Sequence, residues 1–131
     1  VGALPQDEAL LAEPINELER TQDPDGIWRQ YVNDALALPY QALFKQLDLL
    51  VLLAAPNFEV VHGWRLEQEQ QLARSAPGNG TVMDAAAIAR FIAHYERLTR
   101  HILKEMPHRA QIVASLDRMR HVTKLIVNPK N

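Results

Sequence analysis

The sequence feature that most constrains the fold is an unbroken apolar run from Leu49 to Ala55. The run is too short to cross a membrane, and it lacks the polar alternation of a half-exposed strand. Such runs are typical of a strand in a parallel sheet whose two faces are both covered by helices. Pro56 ends the strand because proline cannot donate a hydrogen bond to the ladder. Since open α/β sheets bind ligands beyond the carboxyl ends of their strands, a site is expected between Pro56 and Arg74.

The residues after Pro56 predict a helix that has polar side chains on its apolar face. Apolar positions at helical spacing define that face, namely Phe58, Val61 and Leu72. Arg65 falls in the middle of the face, with Gln68 and Glu69 beside it, and a charge there is costly unless it is paired. Two interpretations are open. Arg65 and Glu69, at i and i+4, form a structural ion pair, or Arg65 is held rigid to meet a phosphate with its planar fork.

The other segments carry ordinary helix and strand signals. Helices are predicted from Asp7 to Ala12, from Pro14 to Arg20, from Asp25 (as the N-cap) to Asp48 with a kink at Pro39, and from Asp84 to Met106; strands are predicted from Gln111 to Leu116 and from His121 to Val127. Together these elements predict a mixed α/β layer with too few strands for a complete doubly wound domain.

The composition bounds the class of protein. The chain has 131 residues, which suits a single domain, 1–131, with its own core. Its formal net charge of -2 gives no electrostatic reason to expect nucleic acid or an anionic membrane as a partner. The absence of cysteine excludes disulfides, thiolate catalysis and cysteine-bound zinc, and it fits a cytoplasmic protein. Because the chain begins in an apolar Val-Gly-Ala, we interpret it as a fragment that starts at the end of a strand.

Basic residues stand out at two other places. Arg29 lies in the first turn of a predicted helix, where a cation does not favour the helix dipole, so a contact with an anion is indicated. On the last long helix, Arg90 and Arg97 alternate with His94 and His101 opposite the apolar stripe. Arg90 and Arg97 are interpreted as a solvated ridge, or as facing a nucleotide if the helix belongs to a lid, and the two histidines are expected to be exposed to solvent. The two histidines are too far apart along the helix for the metal pair of a metalloprotease.

A glycine-containing segment, Gly78-Asn-Gly-Thr81, is superficially similar to a phosphate-binding loop. It lacks the lysine and the G-x-x-x-x-G-K-S/T spacing of such a loop, and no predicted strand precedes it. We therefore interpret the segment as a linker between two helices.

Several separated blocks of the sequence together resemble one family. These blocks are Pro14-Ile-Asn-Glu-Leu-Glu19, Asp25-Gly-Ile-Trp-Arg29 with Tyr31-Val-Asn33, Trp64-Arg-Leu-Glu-Gln-Glu69, and Phe91 with Tyr95-Glu-Arg-Leu98. They resemble the C-terminal half of the glycerate-kinase-like P-loop kinases, which include D-glycerate 3-kinase and have pantothenate kinase, uridine kinase and phosphoribulokinase as more distant relatives. The resemblance covers nearly the whole chain. It implies the helix-rich C-terminal part of an α/β kinase fold, with an incomplete parallel sheet flanked by helices and a lid region at 58–106.

The resemblance also implies ATP- and Mg²⁺-dependent phosphoryl transfer to a small hydroxy acid such as D-glycerate. The family's phosphate loop is absent from this sequence, so we expect ATP and Mg²⁺ in the intact parent and neither bound tightly to this chain alone. The candidate phosphate- or substrate-binding residues are Arg65 and Gln68 first, then Arg29 and Asn16 for the acceptor acid, and Arg97 as a lid arginine.

An alternative function is a stand-alone, non-catalytic α/β interaction module. A truncated sheet exposes an unpaired edge, and such an edge invites pairing with a second copy of the chain. A homo-oligomer is therefore expected for this protein.

Overall fold

The computed structural model describes residues 1–75 and 83–129. The segment predicted as a linker, 78–81, lies outside the described residues. The helices are α1 (Glu17–Gln22), α2 (Ile27–Ala35), α3 (Gln41–Phe44), α4 (Glu59–Ser75) and α5 (Ala85–Glu105), and the strands are β1 (Val51–Ala54), β2 (Ile112–Leu116) and β3 (Val122–Val127). Short 3-10 turns occupy Glu8–Leu11 and Met106–His108.

The helical segment that includes α2 and α3 is interrupted at Pro39. A π-helical turn, Leu36–Tyr40, joins the two helices and contains this proline. Proline has no N–H and its ring crowds the carbonyl one turn earlier, so the hydrogen-bond ladder is distorted at this point. The predicted kink at Pro39 is confirmed. None of the helices in the described ranges is long and apolar enough to span a membrane.

The three strands form one mixed sheet in the order β1-β2-β3. β1 and β2 are parallel, with Leu52 opposite Val113, and β2 and β3 are antiparallel, with Val113 opposite Ile126. A tight turn joins β2 to β3, and in it the Asp117 carboxylate accepts a hydrogen bond from the His121 N–H at 2.9 Å. Because a parallel connection needs a crossover of about a dozen residues or more, a turn this short makes the last pair antiparallel. The mixed α/β architecture predicted from the sequence is confirmed.

Two apolar clusters form the core, and α5 contributes to both. On one face of the sheet, Leu52 and Val113 pack against Met106 and Ala110, which follow the end of α5. The second cluster lies between α4 and the first half of α5 and consists of Phe58, Ile88 and Ile92. The long amphipathic helix α5 therefore holds α4 and the sheet in one packed unit.

The other face of the sheet is uncovered within the described residues. Val51 and Leu53 of β1 are 47% and 65% exposed, and Leu125 and Val127 of β3 are 63% and 70% exposed. The register across β2 places these four side chains on one face, which we call the open sheet face. The prediction that helices cover both faces of β1 is wrong for the described residues, because α5 and the turn after it pack on one face only.

The N-terminal segment packs along α5 and changes the character of its basic side. The Leu4 N–H donates to the Glu105 carboxylate at 3.3 Å, and a ring nitrogen of His101, Nε2, lies 3.0 Å from the Leu4 carbonyl oxygen. Arg109, just beyond α5, donates to the Gly2 carbonyl oxygen. His101, which was expected to be exposed, is therefore half-buried, because backbone groups of the N-terminal segment contact its ring.

Candidate functional site

The turn between α1 and α2 is capped by Asp23. Its carboxylate accepts hydrogen bonds from the N–H groups of Trp28 at 2.9 Å and Arg29 at 3.1 Å, which are free donors in the first turn of α2. Gly26 precedes the helix with a φ of 74°, a left-handed conformation that favours glycine. The prediction that Asp25 caps α2 is wrong, because Gly26 is the N-cap residue and the carboxylate of Asp23 reaches the free N–H groups.

Arg29 is buried against this turn, with a side chain only 4% exposed. Its Nε donates to the Leu11 carbonyl oxygen at 3.0 Å, and its Nη1 donates to the Asp23 carbonyl oxygen at 2.7 Å. The carboxylates of Asp23 and Glu19 lie 3.5 and 4.0 Å from Nη1. The anionic contact indicated by the early position of Arg29 exists, and the anions are two carboxylates of the protein itself.

Arg97 of α5 binds both carboxylate oxygens of Glu19 of α1. Nε donates to Oε1 at 2.8 Å and Nη2 donates to Oε2 at 2.7 Å. The same guanidinium donates to the carbonyl oxygens of Leu10 at 2.8 Å and Glu13 at 2.7 Å. Bidentate arginine–carboxylate pairs fix geometry strongly, so Arg97 anchors the N-terminal segment and α1 to α5.

The environment of Glu19 shifts its acidity. Burial raises the pKa of Glu19, but hydrogen bonds from Arg97 and from the Ile15 N–H, with the charges of Arg97 and Arg29, outweigh the burial. The pKa of Glu19 therefore lies below its ordinary value of 4.5. Glu19 is a carboxylate at neutral pH, and it neutralises arginine charge inside the fold.

Asn16 is the N-cap of α1. Its Oδ1 accepts the Glu19 N–H at 2.9 Å, while the Glu19 carboxylate accepts the Ile15 N–H at 2.9 Å, so the arrangement is similar to a capping box but uses the N–H of the residue before the N-cap. The Asn16 Nδ2 donates to the Ala93 carbonyl oxygen and to the Glu96 carboxylate, both at 3.0 Å. Asn16 therefore fixes α1 on α5.

A cavity of about 460 Å³ lies where α1, α2 and α5 meet. This volume falls within the range of small-molecule sites. Its lining combines apolar side chains, among them Leu18, Val32 and Leu98, with the charged groups of Glu19, Asp23, Arg29, Arg90 and Arg97 and with Trp28 and His94. Two lining residues, Asn33 and Gln6, are joined by hydrogen bonds. The Asn33 side chain accepts the Gln6 N–H at 2.7 Å and donates to the Gln6 carbonyl oxygen at 3.1 Å.

The charges in the cavity lining do not cancel. Arg29 lies against Asp23, and Arg97 binds Glu19, so two arginines are matched by two carboxylates. Arg90 also lines the cavity and is exposed. No carboxylate of residues 1–75 or 83–129 forms an ion pair with it. The cavity therefore has one positive charge in excess, and this charge favours an anionic ligand.

His94 lies one helical turn after Arg90 and also lines the cavity. Its Nδ1 is 2.9 Å from the Arg90 carbonyl oxygen. Because a carbonyl oxygen can only accept, we assign the hydrogen of the neutral ring to Nδ1, which leaves Nε2 as an acceptor. The expected exposure of His94 is confirmed. An acceptor next to an unpaired arginine suits a ligand that carries both a hydroxyl group and a negative charge.

Arg65 forms the ion pair with Glu69 that the structural interpretation predicts. Its Nη1 also donates to the Gln68 Oε1 at 2.8 Å, and the guanidinium lies 5.4 Å from the centre of the Phe91 ring. The Glu69 side chain is only 8% exposed, so Arg65 neutralises a nearly buried charge. Neither Arg65 nor Gln68 is part of the cavity lining. Their role toward a phosphate stays a prediction.

The structure thus brings three of the five candidate residues together. Arg29 and Arg97 line the cavity, Asn16 supports it from behind, and Arg65 and Gln68 lie apart on α4.

Sequence reasoning missed Glu19, Asp23 and Trp28 as parts of this site. The capping-box spacing from Asn16 to Glu19 is a local signal that could have identified Glu19. The partner of Glu19 could not be found in this way, since Arg97 is 78 residues away in the sequence.

The fold defines the class of structure to which the chain is similar. A parallel strand pair connected through α4 and α5, with a helical segment before it, matches part of a solved kinase structure. The particular match is D-glycerate 3-kinase from Cryptococcus neoformans var. grubii serotype A, with a TM-score of 0.67 and 18% identity over 97% of this chain and 47% of that chain.

The chain is also similar to a second solved structure, that of the YGR205w protein. It matches with a TM-score of 0.59 and 18% identity over 99% of this chain and 45% of that chain. The chain therefore spans about half the length of the solved structures that it matches, and at this identity the likeness is one of fold. No protein-family model and no curated protein matches the sequence.

Proposed function

We propose that this chain is one half of an ATP-dependent small-molecule kinase whose acceptor is a small hydroxy acid such as D-glycerate. The observation that carries the proposal is the fold match of 97% of the chain to D-glycerate 3-kinase. The excess positive charge of the cavity lining is consistent with an acidic acceptor.

In this proposal ATP and Mg²⁺ belong to the other half of the protein. The sequence contains no G-x-x-x-x-G-K-S/T loop, which in P-loop proteins holds the phosphates and the metal. Among the residues that the structure describes, no three His, Asp or Glu side chains are grouped to hold a metal ion. The described residues alone therefore do not fit these groups, and we assign to this chain the positioning of the acceptor.

The five candidate residues take two different roles in the proposal. Arg29, Asn16 and Arg97 build the cavity, because their donors are bonded to carbonyl and carboxylate oxygens of the protein. Arg65 and Gln68 are proposed to face a phosphate of the nucleotide once both halves are present. Their mutual hydrogen bond and the Glu69 carboxylate hold the guanidinium in place.

The test is an acceptor screen on a protein that joins this chain to its nucleotide-binding half. With ATP and Mg²⁺, we expect phosphoryl transfer to D-glycerate and far less transfer to glycerol, which has the hydroxyl groups but no carboxylate. The 131-residue chain alone is the control, and we expect no transfer because it lacks the loop. If the joined protein folds and binds ATP but phosphorylates no small hydroxy acid, the proposal is wrong.

The open sheet face favours a second candidate function, a non-catalytic interaction module that self-associates. Val51, Leu53, Leu125 and Val127 expose apolar surface, and β1 is an edge strand of the sheet formed by the described residues. Such a module would form a dimer or a larger assembly whether or not a ligand is present. A single monomer peak in light scattering at working concentration would reject this second function.

A further inference from the structure

The mouth of the cavity contains polar groups that the protein itself does not use. They are the guanidinium of Arg90, the Nε2 of His94 and the indole N–H of Trp28, and all three residues line the cavity. Within the described ranges none of these groups has a hydrogen bond or an ion pair to another residue. Trp28 is 65% exposed, so its ring can cover a bound molecule. These groups are available to a ligand.

The inner wall of the cavity determines the sign of the charge that the ligand must carry. The carboxylates there are occupied, since Glu19 binds Arg97 with both oxygens and Asp23 caps α2 and contacts Arg29. A cationic ligand would find no free carboxylate and would be repelled by Arg90. An anionic ligand would find at the mouth the guanidinium of Arg90, which is unpaired among residues 1–75 and 83–129.

The tautomer of His94 adds a second requirement. Because Nδ1 lies 2.9 Å from the Arg90 carbonyl oxygen, the neutral ring presents Nε2 as an acceptor. An acceptor is satisfied by a hydroxyl group and not by a second carboxylate oxygen. Since Arg90 and His94 stand one helical turn apart, about 6 Å along α5, both side chains can contact the same small molecule.

We infer that the mouth of this cavity binds a small hydroxy-acid anion, with its carboxylate on Arg90, a hydroxyl group on His94 Nε2 and its carbon chain against Trp28. The inference rests on the proposed function only where it equates this acid with the phosphoryl acceptor. The binding site itself is argued from the free groups of the cavity.

The test is a binding titration of the 131-residue chain with three probes, followed by NMR. D-Glycerate carries both groups, glycerol has only hydroxyl groups, and propionate has only the carboxylate. We expect D-glycerate to bind about tenfold or more tightly than either of the others, because each lost contact is a hydrogen bond to a charged or well-aligned group. The Trp28 indole and His94 ring signals should shift. The Trp64 indole, which donates to the Arg118 carbonyl oxygen at 2.8 Å, should not shift.

Two variants separate the two contacts. Arg90→Gln should abolish the preference for D-glycerate over glycerol and keep the preference over propionate. His94→Phe preserves the ring shape without its nitrogen atoms and should have the opposite effect. Arg74→Gln is the matched control, since Arg74 is exposed in the last turn of α4 and is not part of the cavity lining. All three positions are exposed on helices, so the variants should fold.

Two results would overturn the inference. One is equal affinity of the protein for the three probes, and the other is an Arg90→Gln variant that binds D-glycerate as tightly as Arg74→Gln does. The kinase proposal fails separately. If D-glycerate binds but the joined protein transfers no phosphate to it, only the proposed function is wrong. If transfer occurs and KM for D-glycerate is unchanged in Arg90→Gln, only this site is wrong.

Discussion

At the scale of single residues, the burial of an arginine side chain distinguishes a structural role from a possible role in ligand binding. The side chains of Arg29 and Arg97 are 4% and 11% exposed, and each is surrounded by oxygen atoms of the protein. Arg65 is 29% exposed and shares its charge with one carboxylate. Arg90 is exposed and free within the described chain. A buried arginine that is bonded to oxygen atoms of the protein stabilises a fold, whereas an exposed one at a cavity mouth can bind a ligand.

Glu19 gives a prediction about pH. Because its pKa in the folded protein is lowered, its carboxylate stabilises the fold above the ordinary pKa of 4.5, and this stabilisation is lost as the pH falls through the lowered value. Glu19→Gln should therefore reduce the free energy of unfolding by about 1–3 kcal/mol near neutral pH. The two proteins should converge as the pH falls below that lowered pKa. Urea unfolding at a series of pH values measures the difference.

Glu17→Gln is the matched control for this experiment. Glu17 is on the same helix and pairs with Arg20 at 3.0 Å, but its side chain is 75% exposed. Its substitution should change stability little at any pH, since exposed pairs contribute about 0–1 kcal/mol. A constant difference between the protein and Glu19→Gln across the pH series would contradict the assigned role of Glu19. The pKa of Glu105 is also lowered: burial raises it, but hydrogen bonds from Arg109 and the Leu4 N–H outweigh the burial. Because Glu105 is present in both proteins, its titration does not contribute to the difference between them.

Arg65 gives a prediction that separates structure from function. In the joined kinase, Arg65→Ala should lower phosphoryl transfer much more than stability. Its side chain is partly exposed, so leaving Glu69 unpaired should cost less than the about 3–5 kcal/mol of a fully buried pair. The double variant Arg65→Ala/Glu69→Ala should regain stability without regaining transfer. Recovery of both together would make Arg65 a structural residue only.

Contacts between residues that are close in the sequence were predictable, whereas contacts between distant residues were not. The i,i+4 pair of Arg65 and Glu69 is a local contact, and it was predictable from helical spacing. The contact of Arg29 with an anion was also indicated, because a cation in the first turn of a helix does not favour the helix dipole. Its partner Asp23 is only six residues away. The pairing of Arg97 with Glu19 joins two helices that no local rule brings together. Sequence spacing therefore could not define the cavity.

At the scale of secondary-structure elements, the turn before α2 and the helix α4 each contain a glycine with a different role. Gly26 has a φ of 74°, and a Cβ at this position would lie 2.9 Å from Arg29 Nη2. Gly63 is inside α4, where an added Cβ would meet nothing within 4 Å. The two glycines allow a paired experiment in which the same substitution has opposite effects.

Gly26→Ala should destabilise the protein by about 1–2 kcal/mol, because a left-handed conformation is strained for any residue with a Cβ. It should also displace the buried guanidinium of Arg29. Gly63→Ala should stabilise the protein by up to about 1 kcal/mol, since alanine is a better helix former. Chemical denaturation of both variants checks the signs. Destabilisation by both would show that α4 is packed at Gly63 in solution.

The elements themselves were largely predictable where the signal is local. The apolar run predicted the bounds of β1 to within two residues. Pro39 predicted the interruption between α2 and α3, and Asp84 predicted the start of α5. The cap of α2 was assigned to Asp25 instead of Asp23, because Asp25 is nearer in sequence whereas the turn brings the carboxylate of Asp23 to the free N–H groups. The coverage of β1 could not be predicted, since an apolar strand does not reveal what packs on each face.

At the scale of the whole molecule, the open sheet face predicts self-association. We expect the protein to be a dimer or larger in light scattering, as edge strands and apolar faces of this kind associate. Leu53→Lys and Leu125→Lys should each shift the protein toward the monomer, because they place a charge on that face. Leu72→Lys is the control, since Leu72 is 52% exposed on α4 instead. Equal behaviour of the three variants would place the contact elsewhere.

The contacts of α5 with the start of the chain have a consequence for biosynthesis. Arg97 bonds to Leu10 and Glu13 across 87 and 84 residues, and Arg109 reaches Gly2 across 107. On a ribosome, the opening segment therefore emerges long before the helix that will hold it. It must wait, without these partners, until the residues through Arg109 have left the exit tunnel.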